Sequence, residues 1–221
     1  VRKAPLLSLL ILLASGLTVS PRRAAALDTS LRVRASPEAT PCVTAAGEAW
    51  RGSGGLEVET GSLRDAGAWD VLVGSRVELT RALEGGDADA SSDVEIAEIP
   101  WVLHVAGGKE VRSLADLGRP GVDTVILGGP AAYEVRRALA EKGVSRVIET
   151  TDPGRLRAAP VALLPVSLAG SRRGVPVDVP PIRVGAAVGA RARHASAAAA
   201  FVQFLGSERG QQAFAACVPA Q

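Results

Sequence analysis

The sequence predicts an α/β fold in two lobes, each built on a mixed, mostly parallel sheet, with the chain crossing between them twice. Three observations lead there. Short β-branched runs alternate with segments of helical spacing along the chain, the pattern of strand–helix units. Residues 96–105 begin half-polar and then run apolar from Trp101 to Val105 before Gly107-Gly108, which reads as a buried strand carrying the chain out of the first lobe. Residues 181–188 form a second extended run that can bring it back. The same two runs also fit neighbouring strands of a single sheet, and periodicity does not separate the two arrangements.

The 221 residues suit one domain or two small lobes, and 47% apolar against 22% charged residues marks a globular chain. Arg2-Lys3, an apolar run over 6–19 and Ala24-Ala25-Ala26 read as a cleavable export signal spanning 1–26, the run being short for a membrane span. The alternative is an uncleaved anchor. No cysteine follows the run, which argues against a lipid anchor and for a periplasmic or secreted protein. The signal carries four basic side chains, so its loss takes the formal net charge from +2 to −2. No basic patch interleaved with aromatics remains, so nucleic acid is not an expected partner. Cys42 and Cys217 are the only cysteines; in an exported chain the even count suggests a disulfide, two buried thiols being the alternative. A disulfide places both ends of the mature chain in one lobe.

The first lobe is expected over 27–101, the second over 102–184, and the return to the first over 185–221. Residues 31–35 alternate as a strand. Thr40 before Pro41 reads as an N-cap with proline at the first helical position, and Val43, Ala46, Gly47 and Trp50 follow at helical spacing, ended by the glycines of 52–55. Strands at 56–59 and 70–73, a helix at 77–83 and a polar loop at 86–93 complete the lobe before the crossing. The second lobe opens with a helical turn at 113–117. A strand at 124–127, the turn Gly128-Gly129-Pro130, a helix at 131–142, and strands at 146–149 and 161–164 follow. Residues 171–179 read as a loop. Residues 195–217 are two helices, with Ala198, Phe201, Val202 and Leu205 on one face and Ser207 as the cap of the second.

Catalytic chemistry is poorly supplied. His104 lies in an apolar run and His194 in a basic turn; no His, Cys or Asp has metal-ligand spacing, and neither a nucleophile elbow nor a phosphate loop with lysine is present. The expectation is a non-enzymatic protein without metal or cofactor. Three strand-to-helix turns carry small hydroxyl or glycine residues instead: Ser36, Thr60-Gly61-Ser62, and Gly128-Gly129-Pro130-Ala131. Ligands of open α/β sheets bind outside the carboxyl ends of strands, and helix N-termini there suit an anion. Each hydroxyl taken alone also fits a simple helix cap.

These residues resemble periplasmic substrate-binding proteins of the molybdate-binding type, with the type 2 periplasmic-binding-protein fold. The resemblance runs through Ser36, the Thr60-Gly61-Ser62 turn, residues 69–75, 79–83, 113–122 and 128–131, and the ending 198–214. It implies the solute-capturing component of an ABC importer, a monomer that docks on a membrane permease and holds a small, molybdate- or tungstate-like oxyanion in the inter-lobe cleft. Carried over by position, the implied ligand set is Ser36, Thr60, Gly61, Ser62, Pro130, Ala131 and Ala132, acting through hydroxyls and N–H groups with no lysine or arginine. The family's late tyrosine falls at about Leu164, leaving Tyr133 or Ser167 to supply a hydroxyl. A short connection between Ser62 and Asp70 replaces the family's helix there. The alternatives are a degenerate pocket on the same fold, serving as an interaction or structural module, and a secreted enzyme.

Overall fold

The computed structural model describes residues 30–50, 54–64, 67–106, 111–170 and 174–218; the expected signal, with Gly52, Ser53, Gly107 and Gly108, lies outside the described residues. In chain order the first elements are β1 (Leu31–Ala35), α1 (Thr40–Ala49), β2 (Leu56–Thr60), β3 (Val71–Ser75), α2 (Arg76–Glu84) and β4 (Val94–Ile99). Next come β5 (Trp101–Val105), β6 (Thr124–Leu127), α3 (Tyr133–Glu141), β7 (Val147–Thr150), α4 (Pro153–Ala158), β8 (Val161–Pro165), α5 (Val166–Ala169) and β9 (Val175–Pro176). The chain closes with β10 (Ile182–Val188), α6 (Ala195–Gly206) and α7 (Glu208–Ala215).

Two five-stranded sheets result, ordered β2-β1-β3-β10-β4 and β7-β6-β8-β5-β9. In the first, β1 pairs parallel with β2 and β3, while β10 is antiparallel to β3 and β4. In the second, β6 pairs parallel with β7 and β8, while β5 is antiparallel to β8 and β9. Each sheet thus has four strands running one way and one reversed. The reversed strand is in each case the one on which the chain arrives from the other sheet.

The run expected to be one crossing strand is two, divided at Pro100, because proline has no N–H for the ladder and cannot sit inside a paired strand. Trp101 therefore belongs to the second sheet, and Ile182 to Val184 already belong to the first; the sequence reading placed both on the other side of their crossings. Thr40 is not the cap of α1: Ala39 holds that position without a side-chain bond, and the Thr40 hydroxyl donates back to the Ser36 carbonyl at 3.0 Å. Helices α4 and α5 were not expected. The first starts at Asp152-Pro153, with Asp152 accepting from the Gly154 N–H at 2.7 Å, and both are too short to show a helical repeat. The 171–179 segment contributes the short strand β9.

The core is aliphatic. On β3 the side chains alternate between faces: Val71 and Val73 face the cluster under α1, α6 and α7, while Leu72 joins Leu63, Trp69, Leu79 and Ala82 under α2. Cys42 and Cys217 form a disulfide with Cα atoms 4.8 Å apart, linking α1 to the end of α7. It closes a loop of sequence separation 175, for which the chain-entropy model allows up to about 5 kcal/mol. Trp50 packs on Phe201, edge to face at 5.4 Å between ring centres. None of the described helices is long and apolar enough to cross a membrane.

One buried carboxylate fixes how the termini of the first sheet are tied. Asp70 is 1% exposed and accepts from the backbone N–H of Arg32 (3.0 Å), Arg193 (2.7 Å) and His194 (2.9 Å), with the His194 ring at 3.4 Å. It joins the entry of β3 to β1 and to the turn before α6. Burial pushes its carboxyl up, but the bonds from Arg32, His194 and Arg193 outweigh that and hold it below the usual range. A lowered native value means that its contribution is present in full above the ordinary aspartate range and is lost as pH falls through the native value. Asp70→Asn turns an amide N–H toward backbone donors and is expected to cost about 1–3 kcal/mol. Denaturant melts at neutral pH and in acid check this: the gap between the two proteins should narrow as the acid limit is approached.

Candidate functional site

The loops that follow the carboxyl ends of β1, β2, β3, β6 and β7 all reach one cavity of about 570 Å³. From the first lobe come Pro37 and Glu38, the Thr60-Gly61-Ser62 turn, Arg64, and Glu78 and Arg81 of α2. From the second come Gly128, Gly129, Pro130, Ala131 and Thr151. Five of the seven residues that the resemblance implies as ligands therefore meet at this cavity: Thr60, Gly61 and Ser62 on one side, Pro130 and Ala131 on the other. Ser36 and Ala132 do not line it. Both are fully buried, Ser36 behind Glu38 and Ala132 beneath its own turn, where its N–H donates to the Gly129 carbonyl at 3.1 Å.

The Thr60–Ser62 turn is held from below by Arg34. Its guanidinium lies over the Trp69 ring at 4.9 Å, pairs with Glu59 at 2.8 Å and donates from Nε to the Ser62 carbonyl at 3.2 Å. A β-carbon at residue 61 would run into the guanidinium, so any side chain there would push Arg34 away from these partners. The Gly61 N–H is used by the Ala35 carbonyl at 2.9 Å, and the Thr60 hydroxyl meets that of Thr40 at 3.0 Å. The Ser62 hydroxyl accepts from the Arg64 N–H at 3.3 Å and keeps its own hydrogen to offer.

Opposite, Gly129 takes φ +95°, a left-handed conformation that favours glycine, and turns the chain so that Pro130 opens the helical segment leading into α3. Among the described residues the N–H groups of Gly129 and Ala131 have no acceptor. Tyr133 is exposed on a neighbouring groove that shares Arg81, Gly129 and Pro130 with the cavity. Leu164 is buried in β8, and the Ser167 hydroxyl donates to the Glu38 carbonyl at 2.7 Å, a buried tie between the lobes.

Four charged residues that line the cavity were missed in sequence: Arg64, Arg81, Glu38 and Glu78. Arg64 and Arg81 are exposed at the cavity and form no ion pair among the described residues, whereas the sequence reading placed no arginine there. Their chain positions gave no sign, since exposed arginines on a loop and on a polar helix face look like ordinary solvated charge. Glu38 is the third. It sits 2% exposed with Oε1 accepting the Ser36 hydroxyl at 2.7 Å. Burial pushes its carboxyl above the usual range, against the opposing pull of that hydroxyl and of the backbone N–H groups of Glu38 and Ser75. No group of three or more His, Cys, Asp or Glu among the described residues could hold a metal ion. The arrangement suits a small anion: loose N–H groups on one side, a free hydroxyl and two guanidinium groups on the other.

The architecture is that of the two-lobe periplasmic substrate-binding proteins. The periplasmic molybdate-binding protein of Azotobacter vinelandii superposes with a TM-score of 0.73 at 15% identity, over 87% of this chain and 100% of that one. The sulfate-binding protein SubI of Mycobacterium tuberculosis gives 0.64 at 18% identity, over 86% of each chain. The periplasmic binding protein AfuA of Actinobacillus pleuropneumoniae, with fructose-6-phosphate bound, gives 0.65 at 12% identity over 82% and 80%. No family model matches the sequence, and no curated protein matches it.

Proposed function

We propose that this chain is the exported solute-binding component of an ABC importer and captures a small oxyanion in the cleft between its lobes. The observation that carries the reading is the shared cavity, in which Ser62, Arg64 and Arg81 of one lobe face the unpaired N–H groups of Gly129 and Ala131 of the other. An anion bridging them is held from both sides, so binding favours approach of the lobes about the two crossing segments. The similar folds of molybdate-binding and sulfate-binding proteins support the class of guest. In this reading the protein works in the periplasm or outside the cell, as a monomer that hands its guest to a membrane permease and performs no chemistry on it. The contributors are Thr60, Gly61, Ser62, Pro130 and Ala131, with Ser36 and Ala132 supporting them from behind.

One observation favours a second reading. The Ser36 hydroxyl is already spent on Glu38, which suits a binding-protein fold whose pocket has closed and which serves as an interaction module. Calorimetric titration with molybdate, tungstate, sulfate and phosphate, paired with thermal melts, separates the two. The anion reading expects saturable heat and a raised Tm with at least one of these, weakened about tenfold or more in Arg81→Ala, since a charge-assisted hydrogen bond contributes about 1.5–3 kcal/mol. No heat and no Tm shift with any of the four leaves the closed-pocket reading.

A further inference from the structure

Beside the anion cavity runs a second groove of about 570 Å³, and the two share Arg81, Gly129 and Pro130. The Arg81 guanidinium and the turn that carries the Gly129 and Ala131 N–H groups therefore stand at the junction of both hollows. The first cavity is itself roomy for a bare oxyanion. Four oxygens take up about as much space as four waters, on the order of 120 Å³, against the cavity's 570 Å³ or so.

Among the described residues four large apolar side chains are exposed, and two of them line this groove, Val77 of α2 at 42% and Tyr133 of α3 at 57%. They come from opposite lobes. Exposed apolar side chains scattered singly need no cause, but two on one concave surface beside a charged site form the mixed lining of a small-molecule pocket. The charges of the groove are already matched. Arg136 donates to Glu149 at 2.8 Å, and Arg137 pairs with Glu134 at 2.9 Å. Of the charged residues on the groove, only Arg81 has no ion pair among the described residues, and Arg81 belongs to the anion contacts.

We propose that the anion captured in the cleft is the head of a phosphate monoester, whose uncharged organic group lies in the groove against Val77 and Tyr133. The proposal rests on the anion reading above and names the class of guest within it. Two guanidinium groups without ion pairs, Arg64 and Arg81, favour a dianionic head, which a phosphate monoester has and a sulfate monoester lacks. A monoester keeps three oxygens for the N–H and guanidinium groups and passes its substituent from the fourth into the groove. A second charge on that substituent would have to displace an existing ion pair or lie against apolar side chains, and either loses affinity. An organic group with an apolar face gains affinity, because it and the side chains of Tyr133 and Val77 cover one another from water. These two side chains stand on different lobes, so such a group also joins the lobes at the edge of the cleft and adds to the closure that the anion brings.

The test is calorimetry of the purified protein at about pH 8, where phosphate esters are dianions, with inorganic phosphate, phenyl phosphate, phosphoethanolamine and phosphoglycolate. Phenyl phosphate carries an uncharged, flat group; the other two esters carry an ammonium and a carboxylate in its place. Phenyl phosphate is expected to bind about fivefold to tenfold more tightly than phosphate, the range that one or two apolar contacts contribute. The two charged esters should bind no more tightly than phosphate. Tyr133→Ala and Val77→Ser, both at exposed positions, should each lower the ratio of phenyl phosphate to phosphate affinity, and together should remove the preference. Equal affinities for phosphate and phenyl phosphate in the unaltered protein overturn the proposal and leave the anion reading standing. A preference for phenyl phosphate that persists in the double variant, or a charged ester that binds more tightly than phenyl phosphate, does the same. If neither phosphate nor any ester binds, the anion reading falls and the proposal with it. The ester series on the unaltered protein decides the matter even where a variant does not fold.

Discussion

Each sheet receives the chain on a strand that runs against its other four. That constraint organises the molecule. A strand entering from a neighbouring lobe arrives pointing away from that lobe, while the remaining strands point back toward it. With β5 reversed in the second sheet and β10 in the first, the carboxyl ends of β1, β2, β3, β6 and β7 converge on the gap between the sheets. Pro100 makes the arrangement sharp, since it forbids a single continuous strand from bridging both sheets. The site is thus a consequence of topology before it is a matter of particular side chains: loops at carboxyl ends expose N–H groups and small residues, and two sets of them are brought face to face.

The electrostatics of the gap follow from what each turn can leave unpaired. On the second lobe, the left-handed Gly129 and the N–H-less Pro130 free two N–H groups without exposing a side chain. On the first, Arg34 beneath the Thr60–Ser62 turn is fully engaged by Glu59, Trp69 and the Ser62 carbonyl. It shapes the turn and leaves the charge at the cavity to Arg64 and Arg81. Glu38 then offsets part of that charge from within. A cavity lined by two guanidinium groups with a buried acid beside them differs in its charge from one made only of hydroxyls and N–H groups.

The lobes, the crossings and most strands were legible because they rest on periodicity and on glycine and proline punctuation, which local sequence carries. The Thr60–Ser62 and Gly128–Ala131 turns were legible for the same reason: small residues at strand ends have few other uses. The disulfide followed from cysteine parity in a chain read as exported, and Cys42 and Cys217 are joined. What was not legible depends on where side chains fold back and on contacts distant in sequence. The Ser36 hydroxyl looked available until Glu38, two residues on, was seen to fold back onto it. The tie from Ser167 to the Glu38 carbonyl spans 129 positions. Arg81 reaches the cavity only because α2 leaves β3 at the cleft edge, and nothing in its helix face distinguishes it from a solvated arginine. Short elements such as α4, α5 and β9 escaped because they contain less than two repeats of any pattern.

The central claim is that backbone N–H groups of the second lobe and guanidinium groups of the first close on one anion. The most direct measurement is a phosphate titration followed by the backbone amide resonances of Gly129 and Ala131. Among the described residues these two groups have no acceptor. Saturable downfield shifts of both, with an affinity equal to that from calorimetry and weakened together in Arg81→Ala, are the predicted result. Phosphate binding that leaves both resonances in place would contradict the account, since the anion would then lie somewhere other than between the two turns.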